Sequence, residues 1–121
     1  MPSAWGVLVT LLALGAGPTP KDRLWTRADE DAKTEAKRRY DAGAYDQAIP
    51  FYDAVLERHP RDQDSRRDRG ACYLRMNQPE RALADFDALV GYNPGWPGGW
   101  TNRGNALLML GRPELALETF Q

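Results

Sequence analysis

From Asp29 onward, apolar and small residues return three and four places apart, as in Ala48, Ile49 and Tyr52, which puts them on one face of a helix. The same set returns 34 residues later as Ala82, Leu83 and Phe86, and again as Ala116, Leu117 and Phe120. A gapless period of that length predicts an array of helical hairpins, each too small to bury its own apolar face. Upstream in each unit a second small place is held by Ala36, Gly70 and Gly104, with Arg39, Tyr73 and Leu107 three residues on. Small residues let helices approach, and the aromatic at the far end supplies a knob for the hole.

Turn chemistry separates the helices of each unit. Gly43-Ala44-Tyr45, Asn77-Gln78-Pro79 and Gly111-Arg112-Pro113 place glycine or asparagine where a helix ends left-handed; in the last two, proline stands where the next helix starts. Pro60 and Pro94 stop the second helices. Pro50 lies inside the second helix of the first unit, near its start, and predicts a slight kink with one lost bond. The reading is an all-α solenoid with two complete units, 29–62 and 63–96, and an incomplete third, 97–121.

Trp100, Gly104, Leu107, Gly111, Ala116 and Phe120, preceded by Asn93-Pro94, resemble the degenerate signature of the tetratricopeptide repeat. The resemblance covers 29–121 and implies a right-handed solenoid whose first helices line a concave groove for peptides or helices of partner proteins. The first unit departs from the pattern at Ala32, Glu35 and Arg39 but keeps Gly43, Tyr45, Ala48, Tyr52 and Pro60. Its polar outer face reads as an end cap, with Glu35 and Arg39 spaced to pair. At the other end, Gln121 falls within a helix with no capping helix behind it, which suggests a longer array or a self-associating face.

On the implied groove face, the candidate partner-binding residues are Lys33, Lys37 and Tyr40 in the first unit, Arg67, Leu74 and Arg75 in the second, and Asn102, Asn105 and Met109 in the third. Lysine and arginine attract carboxylates, and the asparagine amides both donate and accept, so the surface suits an acidic or carboxyl-terminated segment. The plainer alternative is an ordinary solvated face. Some family members clamp a terminal carboxylate with lysines and asparagines. Here Lys33 fits one such place, whereas Lys37, Asp68, Gly98 and Asn102 stand where the other clamp residues belong, so chaperone-tail binding is not expected. Trp100 is expected in the core between units two and three, with Trp96 over the junction; Tyr92 and Trp96 are further candidates for partner contact.

Composition narrows the chemistry. Sixteen Lys+Arg against seventeen Asp+Glu leave no net field for a nucleic-acid backbone. One cysteine, Cys72, and one histidine, His59, are too few for a structural zinc site. Cys72 reads as a buried inert thiol and His59 as a solvent-facing helix end. Ser3 and Ser65 have no histidine near them, and no glycine-rich phosphate cradle follows a strand, so no catalytic site, small-molecule substrate or cofactor is expected.

Residues 1–20 differ from the rest: Trp5 to Ala16 is almost wholly apolar, followed by Gly17, Pro18 and Pro20. The run is shorter than the roughly 20 residues of a spanning helix and has small residues before Ala16, which suggests a cleaved signal peptide and an exported protein. No lysine or arginine precedes Trp5, so a retained membrane anchor and a disordered tail stay open. Residues 21–28 read as a linker. The functional expectation is a non-enzymatic adaptor; the alternatives are a module of a larger enzyme or secretion machine, and a self-associating structural protein.

Overall fold

The computed structural model describes residues 24–120. Among them it holds six helices: α1 (Arg27–Asp41), α2 (Tyr45–Arg58), α3 (Gln63–Arg75), α4 (Pro79–Tyr92), α5 (Pro97–Met109) and α6 (Pro113–Phe120). Each packs on the next in chain order, and α1 also touches α3. This is the all-α hairpin stack that the 34-residue period predicts. The apolar segment 1–20 lies outside the described residues.

The turn inside each hairpin is the same object three times. Gly43, Asn77 and Gly111, one period apart, have φ of 77°, 57° and 73°. That left-handed residue lets the next N–H reach back five residues, from Ala44 to the Arg39 carbonyl, from Gln78 to Tyr73 and from Arg112 to Leu107, at 2.8–2.9 Å. Carbonyls that a helix end would leave bare are thereby satisfied. Pro79, Pro97 and Pro113 then open α4, α5 and α6. The helix α2 runs unbroken through the exposed Pro50, which sits in its second turn and removes one donor.

Two buried clusters form the core, and each is completed by the following unit. Ala36, Ala48 and Tyr52 of the first hairpin close over Cys72 from α3; Ala82, Phe86 and Leu89 of the second hairpin close over Ala106 from α5. The small-beneath-aromatic pairing is literal. A Cβ at Gly70 would lie 2.6 Å from the Phe86 ring, and one at Gly104 would collide with the Phe120 ring. Trp96 packs over the junction as expected, but Trp100 does not enter the core. Trp96 packs on the second cluster and against Gly98 and Gly99, whereas Trp100 stays at the rim and donates its Nε1–H to the Pro94 carbonyl at 2.7 Å. The cause is the glycine pair after Pro97, which leaves open space into which the earlier ring folds.

A second periodic feature is ionic. Arg69 on α3 reaches back to Asp53 of the preceding unit at 2.8 Å and forward to Asp85 of its own, through Nε at 3.0 Å and Nη2 at 2.6 Å. One period on, Arg103 on α5 repeats the reach to Asp87 at 2.6 Å and to Thr119 at 2.8 Å. Asp85 is buried and also meets Arg66, 3.3 Å away. In the first unit Glu35 takes the corresponding place and pairs with Arg38 and Arg39.

The open ends of the first two hairpins are tied by residues 30 apart: His59 to Asp29 at 3.0 Å in the first, Asn93 to Gln63 at 3.4 Å in the second. His59 is therefore buried, with its ring 4.7 Å from that of Trp25, and is not the solvent-facing end expected of it. Its place opposite the start of α1 required the hairpin to close. Asp29 is buried too, and with Thr26 it forms a reciprocal cap for α1. Arg58 Nε lies 2.9 Å from its Oδ1, close enough for charge attraction although its N–H is not aimed along a hydrogen bond. Burial works against the Asp29 charge, but the bonds from His59 and Thr26 outweigh it and bring the carboxyl from 3.8 down to about 2.

Three outcomes follow for stability. In urea or thermal melts Phe86→Ala costs about 3–5 kcal/mol through a cavity, and Ala82→Leu about 1–3 kcal/mol through overpacking. Asp85→Ala leaves Arg69 with Asp53 alone and Arg66 with the Pro60 carbonyl and costs about 1.5–3 kcal/mol, whereas Asp87→Ala, at a half-exposed pair, costs about 1 kcal/mol or less; equal losses would show that Asp85 does not bear the charge of both arginines. Because the Asp29 carboxyl is lowered on folding, its contribution is complete above pH 3.8 and fades as pH falls toward 2. The melting temperature of the wild type should drop across that window more steeply than that of Asp29→Asn.

Candidate functional site

Lys33 and Lys37 lie one helical turn apart on α1, and Arg67 on α3 occupies the Lys33 place one period later. The contact of α1 with α3 brings the three together around a shallow depression of about 330 Å³. Its floor is Tyr52 from α2, its α1 wall adds Glu30 and Thr34, and its α3 wall adds Asp64 and Asp68. Lys33, Lys37 and Arg67 thus line one site as expected from the sequence. Acids share it in equal number.

The acids neutralise the cations pairwise. Lys33 Nζ sits 3.2 Å from Asp62 and 3.3 Å from Asp64, both at the start of α3. Burial disfavours its charge, but hydrogen bonds to the two carboxylates outweigh that and hold the ammonium above its ordinary range. Asp62 caps α3 by accepting from the Ser65 N–H and hydroxyl; burial pushes it up, and Ser65 and Lys33 pull it below its ordinary value. Lys37 bonds Asp41 at 2.6 Å on the solvent side, and its side chain stays 57 % exposed. Arg67 gives its Nε–H to Asp68 at 2.9 Å and holds Nη1 3.4 Å from Asp64, with 39 % of the side chain exposed.

Asp68 is the innermost of these groups, its side chain only 15 % exposed. Besides Arg67, it accepts from the Tyr52 hydroxyl at 3.4 Å. Burial first, and then the Asp68 charge, raise the Tyr52 phenol well above its usual value, so it remains a donor. At the mouth Trp25 lies under Lys33, 5.3 Å from the ammonium, and donates Nε1–H to Glu30 at 2.9 Å.

The other six candidates stand apart from the depression. Tyr40 packs on the first core cluster and meets Tyr45 edge-on at 5.4 Å; Leu74 packs on the second cluster. Arg75 is exposed with its guanidinium over Tyr45. On α5, Asn102 is half-buried, while Asn105 and Met109 are exposed. Tyr92, a further candidate, carries the guanidinium groups of Arg61 and Arg66 over its ring at 5.3 and 5.6 Å. Sequence reasoning missed the carboxylates Asp62 and Asp64 as groove residues. The available signal was the Asp62–Ser65 cap, which fixes the start of α3 and with it the reach of Asp64. Cys72 is fully buried, and burial followed by the Asp68 charge pushes its thiol up to about 12.

Comparison with known proteins agrees with this architecture. The tetratricopeptide repeat family model matches residues 39–101. The chain is 27 % identical over 94 residues to the Hsp70-Hsp90 organizing protein of Triticum aestivum, covering 78 % of this chain and 16 % of that protein. It is 26 % identical over 87 residues to the tetratricopeptide repeat and J domain-containing co-chaperone DNJ1 of Fusarium oxysporum, covering 72 % of this chain and 17 % of that protein. The chain therefore spans about a sixth of the length of these curated relatives. Among solved structures, the first repeat domain of Spaghetti (RPAP3), bound to the HSP90 peptide SRMEEVD, superposes with a TM-score of 0.73 at 22 % identity over 79 % of this chain and 76 % of that one.

The expectation of export is corrected by these matches. The relatives are an Hsp70-Hsp90 organizing protein and a J domain-containing co-chaperone, and they do not support export. Among the described residues no helix is long and apolar enough to cross a membrane. The signal-peptide and membrane-tether readings rest on residues 1–20, which lie outside the described residues. With the family model matched over more than half of its length and hairpins stacked at a 34-residue period, the chain belongs to the tetratricopeptide repeat family.

Proposed function

We propose that the chain is a non-catalytic adaptor that holds a peptide or an extended protein segment in the depression between α1 and α3. The observation that carries this reading is the meeting of Lys37 and Arg67, cationic donors from two helices, around one open recess floored by Tyr52. An acidic side chain of the segment meets Lys37, the most exposed of the three cations, while Arg67 stays paired with Asp68 and Asp64 and the Tyr52 hydroxyl stays on Asp68. The likeness to a domain bound to an acidic HSP90 peptide supports a peptide ligand. It does not carry over that peptide, because Lys37, Asp68, Gly98 and Asn102 differ from the clamp that family members use for chaperone tails. A non-catalytic role is supported by the sealing of the sole cysteine in the core and the tying of the sole histidine to Asp29.

Affinity capture tests the reading. The double variant Lys37→Gln/Arg67→Gln removes both charges without setting a new carboxylate beside Asp68 or Asp41, and should stay folded with a loss of about 1–3 kcal/mol. Its recovery of partners from extract should fall at least about tenfold. Undiminished capture by a folded double variant would show that partners bind elsewhere.

A further inference from the structure

Resting on that reading of the groove, we infer that its ligand is a segment of mixed charge, with a basic side chain beside its acidic ones, and not a uniformly acidic tail. Of the charged groups lining the depression, Lys33, Lys37 and Arg67 are matched by Glu30, Asp64 and Asp68. Asp62 and Asp41 add two more carboxylates through their pairs with Lys33 and Lys37. Among the lining groups acids and bases are therefore equal in number, and the two further carboxylates are already paired.

The distances decide how a ligand is received. An acidic side chain approaching Arg67 competes with Asp68, already 2.9 Å from Nε, and then lies beside that carboxylate. Asp68 cannot swing into solvent, since it is largely buried and also holds the Tyr52 hydroxyl. Like charges so placed repel, and the repulsion grows as water is excluded. Lys33 offers no relief because two carboxylates hold it. A basic side chain is accommodated without breaking a pair. Asp64 is 57 % exposed and shares its charge with Lys33 and Arg67 at 3.3 and 3.4 Å, longer contacts than the Asp68 bond. A lysine or arginine of the ligand seated over the exposed Asp64 brings a neighbouring glutamate to Lys37, whose Asp41 partner is on the solvent side, so a segment of both charges meets a lining of both charges. The recognition pattern is thus one acid and one base a few residues apart, read across α1 and α3.

Three fluorescein-labelled octapeptides with the full chain test this by anisotropy at low and physiological salt: one of glutamate and aspartate with a free carboxyl end, one of lysine, and one alternating glutamate with lysine. The alternating peptide should bind about tenfold more tightly than the acidic one. Asp68→Asn, which keeps shape and removes the central negative charge, should strengthen acidic-peptide binding about fivefold or more and leave the alternating peptide less favoured. Asp64→Asn, at an exposed position, should weaken the alternating peptide and serves if Asp68→Asn melts early. Tighter binding of the acidic or the basic peptide by the wild type, or an unchanged order in both variants, overturns the mixed-charge pattern and leaves the groove standing. Failure of all three peptides to bind removes the groove reading along with it.

Discussion

A hairpin of two short helices cannot cover its own apolar face, and the whole molecule is arranged around that shortfall. Tyr52 and Phe86 are fully buried only because α3 and α5 arrive from the next unit to supply Cys72 and Ala106. Within the second and third hairpins the two helices approach closely at Gly70 and Gly104, where the ring of the second helix occupies the volume a side chain would take. Contact between successive first helices follows from this stacking, and the groove is its by-product.

Charge serves two purposes in the stack, and periodicity separates them. Arg69 and Arg103 recur one period apart and bridge neighbouring units in the same way, so they belong to the architecture. In the groove the period carries different side chains: Lys33 becomes Arg67 and then Thr101, while Lys37 becomes Ala71 and then Asn105. Variation at equivalent places within one chain is what a recognition surface requires, because a ligand meets each unit at a different part of itself. The depression lies where such variation is charged, between the first and second units.

The fold was legible in the sequence to an unusual depth, since a repeat states each local rule three times. Gly43, Asn77 and Gly111 announced their left-handed turns, and Ala48, Ala82 and Ala116 their burial. The site was legible only in part. Helical spacing brought Lys33, Lys37 and Arg67 to one face, but the acids that neutralise Lys33 lie 29 and 31 residues away, across the hairpin. His59 and Trp100 were misplaced for a related reason. A histidine before a proline looks like a frayed end until Asp29 is seen opposite it, and the choice between Trp96 and Trp100 rests on the space left by Gly98 and Gly99.

What the sequence determined by itself is the stack: helix, left-handed turn, helix, repeated at a fixed interval, because these depend on backbone preference and on periodic burial. What the tertiary structure alone decided is the electrostatic character of the groove. A list of lysines and arginines on one helix face describes a basic surface, but charge is a property of neighbours in space. Only when α3 is laid against α1 do Asp62, Asp64 and Asp68 meet those cations and turn a basic face into a balanced one.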